Sequence, residues 1–147
     1  MNFYTPTKDD YPELTRVWES SVRATHDFLP DAYISLLKDL LLTQYLDSVT
    51  LFCTRNTQSN ITGFAGVNKT RLDMLFVAPE HRGEGLGSCL LNQAIAQFGI
   101  RELDVNEQNP QALRFYIKHG FKRFSRSAVD GLGNPYPMLR MRLERHE

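Results

Sequence analysis

The residues best suited to chemistry in this chain lie in one short run, Arg82-Gly83-Glu84-Gly85-Leu86-Gly87. A strand-like segment leads into the run and a helical pattern follows it. Glycine has no Cβ, so the backbone there can approach a ligand closely and take up left-handed dihedrals. A helix opening near Gly85 points its unpaired amides and positive dipole end at the turn, and Arg82 adds a permanent cation. Such a turn suits a phosphate or pyrophosphate. Taken alone, the three glycines are a weak signal, because a tight structural turn uses glycine in the same way. Two other phosphate-binding patterns fit poorly. The spacing GxGxG misses the dinucleotide fingerprint GxGxxG by one position, and Asp104 is only a loose counterpart of its downstream acid. A nucleotide P-loop needs Gly-Lys-Ser/Thr, whereas Gly85 is followed by Leu86, Gly87 and Ser88.

The other reactive side chains are scattered. Cys53 and Cys89 show no CxxC spacing, which argues against a disulfide framework or a cysteine zinc site and for a reducing compartment. The histidines His26, His81, His119 and His146 have no ligand spacing, so no metal is expected. The formal net charge is zero. A broad electrostatic footprint for nucleic acid or an anionic membrane is therefore not expected. The amino terminus lacks the pattern of a signal peptide, and the apolar stretch near Leu36 to Leu42 is interrupted by Lys38 and Asp39. A cytoplasmic protein is expected.

Those residues must be positioned by ordinary elements. The 147 residues, 41% hydrophobic and 23% charged, suit one globular domain over residues 1–147. Phe3 to Thr5 reads as a first strand ending at Pro6, and Thr7 with Asp10 forms a capping-box-like start for a helix. Tyr11, Leu14, Trp18 and Val22 recur at helical spacing. A break at Thr25 to Pro30 precedes a second helix over 31–45, with Ile34, Leu37 and Leu41 inward. Thr50 to Arg55 and Ile61 to Asn68 read as a hairpin, and Arg71 to Val77 as the next strand. After the glycine turn, Leu86, Leu90, Leu91, Ala94, Ile95 and Phe98 line a helix face. Leu103 to Val105 reads as a short strand, and a helix opens at Pro110 and stops at Gly120. Phe121 to Val129 and Pro137 to Leu143 close the chain as strands. The order βααβββαβαββ makes an α/β domain, with helices against a mixed, curved sheet.

The flanks of the turn carry a resemblance. Val77-x-Pro79-Glu80-His81-Arg82-Gly83-x-Gly85-Leu86-Gly87 resembles the signature of the GNAT superfamily of N-acetyltransferases, whose core is [Arg/Gln]-x-x-Gly-x-Gly/Ala. A second block of that family is matched by Asn109, Ala112, Phe115, Tyr116, Gly120 and Phe121. The element order is also the family's, so the likeness covers essentially the whole chain. Ala24-Thr25-His26-Asp27-Phe28-Leu29, the run from Val105 to Asn109 and the run from Asp130 to Pro137 resemble its bacterial YjaB-like branch.

That resemblance implies direct attack of a primary amine on acetyl-coenzyme A, with no acyl-enzyme. It implies that the amides of Arg82, Gly83, Glu84, Gly85, Leu86, Gly87 and Ser88 hold the cofactor's pyrophosphate. Backbone groups of Leu75, Phe76 and Val77 would run beside the pantetheine, and Asn109 would contact it, cap its own helix, or do both. Tyr116 matches the tyrosine that gives a proton to the leaving sulfur; without the family, it would read as plain core. Asp73 occupies the place of a family carboxylate that acts as base, with Glu107 and His26 in reserve. His26, Phe28, Leu29 and Tyr136 would line the amine's side. The acceptor itself stays open between a small molecule and a protein lysine or amino terminus. A non-catalytic acyl-CoA sensor is the alternative, and an exposed edge strand or exchanged C-terminus would offer a route to a homodimer.

Overall fold

Apolar residues at helical spacing make the first element. Leu14, Trp18 and Val22 are buried along one face of α1 (Tyr11–Thr25) in the computed structural model, which describes residues Met1–Glu144. His146 lies outside the described residues. Ahead of α1 the Asp10 carboxylate accepts the Thr7 N–H at 2.8 Å, so the expected box closes around a single 3-10 turn, Lys8–Asp10. Helix α2 (Asp31–Leu40) buries Ile34. The expected helix does continue to Tyr45, but its winding widens to a π turn over Leu41–Tyr45 and then tightens to a 3-10 turn over Leu46–Ser48.

The chain divides into two compact units, the first over Met1–Ile100 and the second from Arg101 onward. In the first, β1 (Thr50–Arg55), β2 (Ile61–Asn68) and β3 (Arg71–Val77) form an antiparallel meander. Helix α3 (Leu86–Phe98) buries Leu86, Leu90, Leu91 and Ala94 and ends at Gly99, whose φ of 64° is the left-handed cap that glycine tolerates. One face of the meander joins a cluster with α1 and α2 that includes Leu14, Trp18, Ile34, Phe64 and Met74. The other face meets α3, where a Cβ on Gly63 would lie 3.0 Å from Leu90 Cδ1.

Strand β3 carries one residue more than its partner. Met74 faces Gly66 and Leu72 faces Val67, which leaves Asp73 unmatched between them. This bulge reverses the phase of the strand, because residues opposite each other share a face. Leu72 and Met74, two apart, are therefore both buried but on opposite sides of the sheet.

In the second unit β4 (Glu102–Asn106), β5 (Phe121–Ser127) and β6 (Met138–Leu143) are antiparallel, with β6 between the other two, and α4 (Pro110–Lys118) connects β4 to β5. Leu103, Val105, Leu139, Met141 and Leu143 are buried. Alternate positions carry ion pairs across the strands, Arg142 with Glu102 at 3.0 Å and Arg140 with Asp104 at 3.4 Å.

Among the described residues, six strands and four α-helices make the expected α/β class. The expected first strand is smaller than the sequence suggests. Phe3 to Thr5 contributes one bridge, in which Tyr4 and Cys53 exchange hydrogen bonds of 2.9 and 2.8 Å. Pro6, which has no N–H, follows directly and cannot extend a ladder. Among the described residues, no helix is long and apolar enough to cross a membrane.

Candidate active site

The glycine turn joins β3 to α3. After a 3-10 turn at Pro79–His81 the chain is extended at Arg82, then takes φ of 81° at Gly83 and 80° at Gly85. Those left-handed angles favour glycine, and a Cβ built at either position meets nothing within 4 Å. The turn is thus held by dihedral preference and is open around both residues. The first bond inside α3 runs from Cys89 N–H to the Gly85 carbonyl at 3.1 Å. The amides of Leu86 and Gly87 precede it, have no partner within the helix and bring the positive dipole end with them. This cradle fits an anionic group such as a pyrophosphate. Gly87 and Ser88 lie in the first turn of α3. The Glu84 carboxylate is held by His81, whose Nδ1 is 3.2 Å away.

Arg82 does more than supply charge. Its Nη2 lies 3.3 Å from Ser21 Oγ and 3.5 Å from the Ser21 carbonyl, so the guanidinium ties the turn to α1. The same carbonyl accepts Thr25 Oγ1–H at 2.9 Å, and Thr25 Oγ1 is 2.8 Å from His26 Nδ1. His26 caps the C-terminus of α1, its N–H bonding the Val22 carbonyl at 2.7 Å, and its ring lies 5.3 Å from that of Phe28. Leu29 N–H bonds the His26 carbonyl at 3.1 Å. The structure therefore brings Arg82, His26, Phe28 and Leu29 into one neighbourhood. Ser21 and Thr25 complete it, and neither is marked as a site residue by the sequence. The signal available was their spacing of four on a helix that ends beside His26.

Leu75, Phe76 and Val77 are half-buried at the end of β3. Asp73, on the bulge, is exposed and accepts a hydrogen bond from Arg71 Nε at 3.0 Å. In the second unit, Asn109 is the N-cap of α4, its Oδ1 accepting the Ala112 N–H at 3.2 Å. Tyr116 is half-buried on the same helix, edge-on to the rings of Phe115 and Phe121. Loss of solvent raises its phenol pKa well above the ordinary value. Glu107 accepts two bonds of 2.9 Å from Arg126, whose guanidinium holds the carboxyl below the usual range. Tyr136 sits in the loop between β5 and β6. Asp130 Oδ1 organises that loop by accepting the Leu132 and Asn134 amides at 3.0 and 2.9 Å.

Burial pushes the Cys53 thiol up to about 11, which makes it a poor nucleophile. Among the described residues, no group of three His, Cys, Asp or Glu could hold a metal ion. A cleft of about 510 Å³ lined by the N-terminal segment, β1 and the far end of α3 shares no residue with the candidate site.

The family model for an acetyltransferase (GNAT) domain matches residues 47–123, a span that contains both the glycine turn and the Asn109–Phe121 block. The peptidyl-lysine N-acetyltransferase YjaB of Salmonella typhimurium is 38% identical over 141 residues, covering 96% of this chain and 97% of that protein. The chain belongs to the GNAT acetyltransferase family. YjaB of Escherichia coli is 41% identical over 129 residues, covering 88% of this chain and 87% of its own length. The solution structure of apo YjaB from Escherichia coli superposes with a TM-score of 0.88 over 96% of this chain and 95% of that one. A more distant GNAT fold, the PaiA N-acetyltransferase of Thermoplasma acidophilum in complex with coenzyme A, is 20% identical. It aligns over 96% of this chain and 98% of its own, with a TM-score of 0.68. This GNAT member is thus an N-acetyltransferase, and it falls in the YjaB-like branch of the family.

Proposed function

We propose that this chain transfers the acetyl group of acetyl-CoA directly to the amine of a peptidyl lysine. The observation that carries the reading is the open cradle at the start of α3, where two left-handed glycines precede amides with no partner in the helix. The likeness to peptidyl-lysine acetyltransferases over nearly the whole chain supports the choice of acceptor. Bound acetyl-CoA would supply a thioester carbonyl that an amine can attack.

The chain's own residues do the rest. The backbone from Arg82 to Ser88 holds the pyrophosphate, the end of β3 at Leu75, Phe76 and Val77 runs beside the pantetheine, and Asn109 contacts it while capping α4. Tyr116 gives its proton to the departing sulfur. Its raised pKa keeps that proton in place at neutral pH, so the acid is always loaded. His26, Phe28, Leu29 and Tyr136 line the amine's side. Asp73, Glu107 and His26 are the groups able to take the amine's proton, and both carboxylates hold an arginine. Free thiols at Cys53 and Cys89 support a cytoplasmic setting.

The test has two parts. Calorimetry should show coenzyme A binding to the parent and not to folded Gly87→Asp, which sets a carboxylate against the pyrophosphate. Mass spectrometry with acetyl-CoA should show transfer to a lysine peptide in preference to a polyamine, an amino acid or an aminoglycoside. Near-normal affinity in Gly87→Asp would remove the cofactor site. Binding without transfer to any amine would make the chain a sensor.

A further inference from the structure

The hydrogen bonds around His26 determine more than its position. Thr25 has one hydroxyl proton, and it goes to the Ser21 carbonyl at 2.9 Å. Thr25 Oγ1 can then only accept from its other neighbour, His26 Nδ1, at 2.8 Å. Nδ1 therefore carries the ring proton, and Nε2 is left with a lone pair. Arg82 closes the arrangement from the far side, its Nη2 lying 3.5 Å from the Ser21 carbonyl and 3.3 Å from Ser21 Oγ. A continuous path thus runs from the cofactor turn through Ser21 and Thr25 to the imidazole. The charged groups that act on the ring are Arg82 and Asp27. Burial lowers its pKa most, the Val22 carbonyl and Asp27 oppose that, and Arg82 adds to it. The net direction is below the ordinary value, so His26 is neutral at neutral pH.

We propose that His26 Nε2 is the atom of this chain that accepts the N–H of the incoming amine. Arg82, Ser21 and Thr25 act as positioning residues that hold the Nδ1–H tautomer. The proposal rests on acetyl transfer as the reaction and deepens it. The amine enters in its neutral form, its ammonium proton having gone to solvent. As its nitrogen bonds to the acetyl carbon, it becomes positively charged and releases one proton to Nε2. The carbon–sulfur bond breaks, the sulfur takes the proton offered by Tyr116, and both residues later exchange with solvent. His26 is better suited than the two carboxylates, since Arg71 engages Asp73 and Arg126 engages Glu107. The aromatic ring of Phe28 beside it offers a face for the alkyl stem of a lysine.

Two measurements on the full chain decide it. The first is long-range proton–nitrogen NMR of the imidazoles at neutral pH, with His26 assigned by its loss in His26→Gln. The expected spectrum shows a protonated Nδ1 and a bare Nε2, and Thr25→Val, which keeps the shape but removes Oγ1, should mix the tautomers. The second is kcat/KM against pH. The substrate's own ammonium lowers it on the acid side in every variant, and in the parent a second, steeper limb should appear below about pH 6.5, the ordinary imidazole value, as His26 gains a proton. His26→Gln should lose that limb and about 10²-fold of the rate at neutral pH, the range for lost proton transfer, with coenzyme A affinity held within a few fold. Thr25→Val should lower kcat by a smaller factor at unchanged coenzyme A affinity. A bare Nδ1 in the parent, or the parent's second limb surviving in His26→Gln, would overturn the proposal. So would an equal loss of turnover and coenzyme A affinity, which marks a purely structural residue. If the parent acetylates a small amine and no peptide, the peptidyl-lysine reading alone fails, and the same profiles on that amine judge His26.

Discussion

Tyr116 shows how one side chain can look like core and still be chemically loaded. Its ring packs edge-on to Phe115 and Phe121, as an inert aromatic would, while loss of solvent stabilises the neutral phenol. A raised pKa makes a phenol a weaker acid but guarantees that it holds its proton at the working pH. That suits delivery to a thiolate, which demands the proton only when the bond breaks. Tyr116→Phe should keep the ring contacts and coenzyme A affinity and lower turnover by about 10²-fold where chemistry is rate-limiting. Rapid-quench measurement of a single turnover checks this, and an unchanged rate would take Tyr116 out of the mechanism. Asp73 provides the contrast. It is a carboxylate within β3, as a base there would need, yet it faces Arg71 from an exposed bulge. The same pH–rate experiment on Asp73→Asn should reproduce the parent's profile if His26 takes the proton.

Elements here depend on a few close approaches. Strand β2 passes so near its neighbours that a Cβ on Gly66 would lie 2.8 Å from Val49 Cγ2 and 3.3 Å from Met74 Cβ. Neither neighbour is the loose end of a long side chain, so the packing must shift. Gly66→Ala should cost about 1–3 kcal/mol, the usual range for overpacking. Asn109→Ala removes a single cap bond at the start of α4 and should cost about 1 kcal/mol. Urea unfolding of both variants checks the order, and equal or reversed losses would mean that β2 relaxes more easily than its contacts indicate. The bulge at Asp73 belongs to the same scale. By reversing the phase of β3 it lets Leu72 and Met74 fill opposite sides of one sheet.

For the whole molecule, a ligand that binds only the folded chain must stabilise it. Coenzyme A at ~100 times its dissociation constant should add about 2.7 kcal/mol. A rise in Tm with ligand concentration in the parent is the expected outcome of thermal scanning. Gly87→Asp should keep the ligand-free Tm and lose the rise. A rise of equal size in both would place the nucleotide elsewhere.

Much of the fold and part of the site can be read from the residues alone. Strands at Thr50–Arg55, Ile61–Asn68 and Arg71–Val77 stand where the apolar runs and turn residues predict them, because those signals are local in the chain. The turn glycines and the Asn109 cap are equally local, each set by a few neighbouring dihedrals or one bond three residues away. Other features depend on partners that the sequence does not place side by side. Arg82 finds Ser21 across 61 positions and Glu107 finds Arg126 across 19, so each charge's task is settled by tertiary contact. The register between β2 and β3 decides that Asp73 is the unmatched residue, and the burial of Tyr116 decides its pKa. Phe3 to Thr5 shrinks to one bridge because strand pairing, unlike strand propensity, needs donors along the whole edge, and Pro6 provides none. Periodicity thus wrote the elements and their turns, whereas charge pairing, desolvation and register arose only once distant residues met.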